Sequence, residues 1–176
     1  WRKDREGTFR RMEKYAEGME AEGIHFTYCY DEGYPKRLLS LGDHPFGLFY
    51  IGSLPSEELP VVSVIGAREC YFGSNGVQVV SGMARGIDGI SQSAAMKAGG
   101  KSFGILGCGV DICYPKENRK LYETLKIQGG ILSEYLPKTE AKANLFPARN
   151  RIISGISDLI GERNGYRERM ITITPY

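Results

Sequence analysis

The side chains best suited to chemistry in this sequence are cations set among glycines. Arg68 follows Gly66-Ala67, and Arg85 lies inside Ser81-Gly82-Met83-Ala84-Arg85-Gly86-Ile87-Asp88. Lys116 follows Tyr114-Pro115, and Lys138 follows Leu136-Pro137. Glycine lets backbone N–H groups come close to an anion. A guanidinium matches phosphate oxygens in pairs, whereas an ammonium acts as a point charge. The chemistry this pattern points to is phosphate binding, not bond making.

A further block, Phe146-Pro147-Ala148-Arg149-Asn150-Arg151, opens a helical pattern, with Pro147 suited to a first turn. At about 100° per residue, Arg149 shares a face with Ile152, Ile153, Ile156, Leu159 and Ile160, and Arg151 points away. Arg149 is therefore expected to face a crevice or a buried carboxylate. Asn150 can bond to backbone or to a base edge.

Each of these residues has a structural reading beside the functional one. Arg68 contacts phosphate or closes a structural ion pair. Arg85 does the same, with Asp88 and Glu134 as its possible acidic partners. Asp88 reads better as a helix N-cap than as a catalytic acid. Asp111 reads as a turn residue. Lys116 and Lys138 are phosphate contacts or ordinary solvated charges. Tyr114 packs, or stacks on a base as single-strand binders require. The glycines at 82, 86, 107 and 109 say tight loop more firmly than they say ligand, and Gly66 stands with Arg68 as a candidate contact.

Catalytic groups are scarce. The only histidines, His25 and His44, have no nucleophile or carboxylate partner recognisable in sequence. There is no phosphate-loop motif, and Gly107-Cys108-Gly109 lacks the third glycine of the dinucleotide fingerprint. The four cysteines, Cys29, Cys70, Cys108 and Cys113, form no C-x-x-C pair, so neither a metal site nor a cofactor is expected. Reduced thiols in a reducing cytoplasm are the expectation. Neither a membrane span of about 20 apolar residues nor a signal-peptide core is legible.

Those loops need elements to hold them. The 176 residues are 41% hydrophobic and 25% charged, enough for a packed core. The net charge of +2 means that a nucleic-acid site must be a local cluster of cations. Residues 8–22 read as a helix, 24–30 as a strand, 36–41 as a short helix and 48–51 as a strand. Residues 1–23 form a helical lead-in to a domain over 24–176. From Pro60 onward, apolar β-branched runs at 61–65, 77–80, 102–106 and 131–135 read as strands covered on both faces. Helices over 88–98 and 117–127 are expected to stop at Gly99-Gly100 and Gly129-Gly130. The fold expected is α/β and extended Rossmann-like: an open, mostly parallel sheet with helices on both faces. Such a sheet gathers the basic loops at the carboxyl ends of its strands, where ligands bind. One interval does not fit. The residues from Glu69 to Gly76 are too few for the dozen or so of a parallel crossover. Either a hairpin or, preferably, a segment missing between about 70 and 76 is expected. The tail from Gly161 to Tyr176 has no legible strand pattern.

Several blocks together resemble the DprA/Smf family, DNA-processing proteins of bacterial transformation. They are Ser81 to Asp88, Val64-Ile65-Gly66-Ala67-Arg68, Asp31 to Leu38, Asp111 to Lys116, Ser133-Glu134 and Phe146 to Ile153, in the family's order. The resemblance runs from about residue 24 to 160. It implies a non-enzymatic protein that binds single-stranded DNA through a basic pocket, with Arg68, Arg85, Lys116 and Lys138 at the pocket positions. It also implies a homodimer that helps load the recombinase RecA. The family's final strand and its optional C-terminal winged helix are not legible. Two other readings stand beside it: a nucleotide-binding enzyme of the phosphoribohydrolase type, whose usual PGGxGTxxE motif is not found, and a scaffold whose rim binds an acidic protein.

Overall fold

The computed structural model of the chain describes residues 5–65, 76–164 and 167–171. The chain opens with helix α1 (Arg5–Ala21), strand β1 (His25–Tyr28), a 3-10 turn (Lys36–Ser40) and β2 (Gly47–Gly52). Then come β3 (Val61–Ile65), β4 (Gln78–Ser81), α2 (Ile87–Lys97) and β5 (Ser102–Ile105). The last part holds α3 (Arg119–Gln128), β6 (Gly129–Ser133), α4 (Leu145–Ile156), β7 (Leu159–Asn164) and β8 (Arg167–Ile171).

All the strands join one eight-stranded sheet in the order β1-β2-β6-β5-β4-β3-β7-β8. From β6 through β7 every neighbour is parallel. The sheet is flanked by antiparallel β1 and β2 at one edge and by antiparallel β8 at the other. The continuous apolar runs are explained by burial on both faces: every residue of β4, β5 and β6 is buried. Along β6, Ile131 packs with Met96 of α2 and with Leu121, Tyr122 and Leu125 of α3. Its neighbour Leu132 packs on the opposite side with Ile152, Ile153 and Ile156 of α4. This is the open α/β sheet with helices on both faces that the patterning predicts.

One alternative closes and two expectations change. β3 and β4 are parallel neighbours, with Val62 opposite Val79, so they do not form a hairpin; residues 66–75 between them lie outside the described residues. The tail after Ile160 does contain strands, since β7 pairs with β3 and β8 pairs back onto β7. Leu159 therefore belongs to β7 and not to the helix, because α4 ends at Ile156 and Ser157 turns extended at ψ 133°. The helical phase of Leu159 and Ile160 was coincidental.

The two Gly-Gly pairs also part company. At the end of α2, Gly99 has φ +83°, its N–H bonds Met96 O at 3.0 Å, and Gly100 N–H bonds Ala95 O at 3.0 Å. That is a glycine stop closing the helix in the left-handed conformation. Gly129 and Gly130 instead begin β6. A Cβ on Gly129 would strike Ser102 O, and one on Gly130 would strike Ser53 O. Close backbone approach, not a turn, is what requires glycine there.

Candidate nucleic-acid interface

Because β4, β5 and β6 run parallel, the loops that follow them emerge at one edge of the sheet. The loop after β4 is held on two sides. Asp88, in the first turn of α2, accepts hydrogen bonds from Gly82 N–H at 3.1 Å and Ala84 N–H at 3.2 Å. From the other side, Asn118 Nδ2 donates to Met83 O at 2.9 Å and Ala84 O at 3.2 Å. Asp88 is thus not the N-cap it was expected to be. Gly86 occupies that position with φ +83°, and the Asp88 carboxylate reaches back to tie the loop instead. Ser81 is buried, and its hydroxyl donates to Val64 O at 3.2 Å, linking β4 to β3.

Arg149 lies beneath this loop. It is only 4% exposed, and its Nη1 donates to Gly82 O at 2.8 Å and also to Ile105 O. One guanidinium thereby clips the ends of β4 and β5 together. A Cβ on Gly82 would run into that guanidinium, which explains the glycine. No carboxylate hydrogen-bonds Arg149 among the described residues, and its Nε lacks a partner. Burial pulls its pKa below the ordinary arginine value, partly countered by the negative charge of Asp88.

Above Arg149 opens a cavity of about 360 Å³ lined by Gly82, Ala84, Arg85, Tyr114, Pro115, Phe146 and Arg149. Tyr114 and Phe146 stack at 5.3 Å between centroids and 25° between planes. Tyr114 stays 46% exposed, so the pair offers a flat aromatic wall. Gly107 makes room for it, since a Cβ there would sit 2.8 Å from the Phe146 ring.

The predicted cations divide. Arg85 reaches the cavity, but it is paired at 2.6 Å with Glu117, both side chains being well exposed. Neither Asp88 nor Glu134 is its partner. Glu134 instead holds Arg151 at 2.6 Å, and Arg151 also meets Asp43 at 3.0 Å. Lys116 and Lys138 are exposed at the same edge without lining the cavity, and neither has an ion-pair partner among the described residues. Lys138 sits at φ +68°, with its N–H donated to both Asp111 oxygens at 2.8 and 3.0 Å. Asp111 therefore ties the loops after β5 and β6 together and is more than a turn residue. Asn150 is exposed and does not line the cavity. Gly66 and Arg68 lie outside the described residues.

Sequence reasoning missed Glu117 and Asn118. Both follow Lys116 at the start of a helical run, and polar residues there look like solvated surface. Burial pushes the Cys108 thiol up to about 11, so it is no nucleophile near neutrality. No group of three or more metal-ligating side chains occurs among the described residues.

Residues 25–160 match the family model for DNA recombination-mediator protein A. The chain belongs to this family, DprA/Smf. The DNA processing protein DprA of Streptococcus pneumoniae is 38% identical over 138 residues, covering 72% of this chain and 49% of its own length. The protein Smf of Synechocystis is 36% identical over 161 residues, covering 82% of this chain and 40% of its own. The chain thus spans about half or less of these relatives. The X-ray structure of the Streptococcus pneumoniae protein superposes with a TM-score of 0.71 at 33% identity, covering 85% of this chain and 59% of that one. DNA processing protein A from Helicobacter pylori, described for its single-stranded DNA binding mode, superposes with a TM-score of 0.63 at 27% identity, covering 77% of this chain and 67% of that one.

Proposed function

We propose that this chain binds single-stranded DNA at the carboxyl edge of its sheet, without catalysing a reaction on it, and that it helps load RecA in the cytoplasm as a homodimer. The observation that carries the reading is the cavity over the buried Arg149, with Arg85 at its wall and Lys116 and Lys138 at the same edge. A cation buried without a bonded carboxylate projects positive potential into the space above it. The glycine-rich loop beside it admits a phosphate close to the backbone. Tyr114 and Phe146 add a stacking surface that tolerates any base. The Helicobacter pylori relative supports the DNA reading, and family membership supports a role in recombination.

Fluorescence anisotropy with a labelled (dT)20 tests it. Affinity should fall with salt at a slope of roughly −0.7 per phosphate neutralised. Lys116→Ala and Arg68→Ala should each make that slope shallower by about the same amount, whatever the base sequence. A salt-insensitive signal, or equal preference for duplex, would remove the proposal. Co-sedimentation with RecA-coated strands tests the loading role, and light scattering tests the dimer.

A further inference from the structure

Beside the cavity lies a second, larger hollow of about 510 Å³ between α2 and α3, with Ser93, Lys97, Asn118, Lys120 and Thr124 among its lining residues. Glu117 also lines it, and Glu117 is the partner of Arg85, which lines the first cavity. A single exposed ion pair therefore stands on the boundary between the two spaces. Asn118 joins them as well, since its amide is bonded to the loop that walls the cavity and it also lines the hollow. The cations of the hollow, Lys97 and Lys120, are exposed and have no ion-pair partner among the described residues. The only acid in its lining is Glu117, already neutralised by Arg85. Hydroxyl and amide groups from Ser93, Thr124 and Asn118 complete a lining of the type that contacts phosphate and sugar.

We infer that the α2–α3 hollow carries the continuing single strand as it leaves the cavity, with Lys97 and Lys120 on its phosphates and the Arg85–Glu117 pair as the sill between the two sites. This rests on the DNA reading above. The sill sets a competition: a phosphate arriving at Arg85 must displace the Glu117 carboxylate. Removing that carboxylate charge should therefore favour the strand.

The test compares labelled (dT)2, short enough to occupy the cavity alone, with (dT)20, which reaches the hollow. The full chain is used, as Lys97→Ala with Lys120→Ala, as Glu117→Gln, and as a charge-matched control, Lys14→Ala with Lys36→Ala. For (dT)20 the double lysine variant should lose about tenfold in affinity, and its salt slope should flatten by about 1.4, two contacts' worth. Binding of (dT)2 should be unchanged, the control should behave like wild type, and Glu117→Gln should bind both oligonucleotides several-fold tighter. Circular dichroism confirms folding of each variant. An unchanged (dT)20 slope in the lysine variant overturns the inference while leaving the cavity reading intact. So does an equal loss for (dT)2, which would mean a general charge effect, or binding of an acidic polyglutamate at the lysines with no oligonucleotide effect. If wild type binds neither oligonucleotide, it is the DNA reading itself that fails.

Discussion

Arg149 concentrates the residue-scale physics. Its inward direction was legible from helical phase alone, because a residue three positions before Ile152 must share its face. What it would meet was not legible, since its partners are backbone carbonyls of Gly82 and Ile105, far away in the chain. Periodicity gives a direction and never a long-range partner. The same limit hid the choice of Arg85 for Glu117 over Asp88 or Glu134. Replacing Arg149 by Met orphans the two carbonyls and removes the buried charge. We expect a loss of about 2 kcal/mol in urea unfolding and at least tenfold weaker binding of (dT)20. Arg149→Met that binds DNA like wild type would show that the buried cation has no part in the site. Gly82→Ala should act in the same direction, because its methyl would push into the guanidinium.

At the scale of elements, strands and helices from Pro60 to Ile156 were legible because apolar runs of five or so residues, with β-branching, describe parallel strands well. Boundaries failed where one residue type serves two purposes. Gly99 ends a helix and Gly130 admits a neighbouring strand, and the dipeptide looks the same in both places. The consequences of substitution should differ accordingly. Gly99→Ala meets open space and strains only φ, so about 1 kcal/mol of thermal stability should be lost. Gly130→Ala drives a methyl into the Ser53 carbonyl where β2 pairs with β6. It should cost several times as much, about 3 kcal/mol or more. Chemical denaturation of the two variants side by side checks the ranking; equal losses would contradict the close-approach role of Gly130. The antiparallel edges were less legible. β1 is short and mostly exposed, and the tail strands lack the unbroken apolar run of the centre.

For the whole molecule, burial has a signature in pH. Burial raises the Cys108 thiol to about 11 and the Tyr34 and Tyr122 hydroxyls to about 12. The free thiol and phenol titrate at 9.0 and 10.0. Between those values and the raised ones, the folded chain holds more protons than the unfolded chain. Stability is then complete below about pH 9 and declines as pH rises toward 11 and 12. Urea midpoints measured from pH 7 to 11 should fall above pH 9, and Tyr122→Phe should blunt the fall. A flat profile would mean these groups ionise freely in the folded state.

The crossover from β6 through α4 to β7 carries the chain back over β5, β4 and β3, and this sets a schedule for its birth. Gly82 leaves the ribosome well before Arg149, so for a long stretch of synthesis the first half of the cavity exists without its floor. No nascent chain truncated ahead of α4 can close it. The chain has to be threaded past β6 and into α4 before the cavity gains its floor.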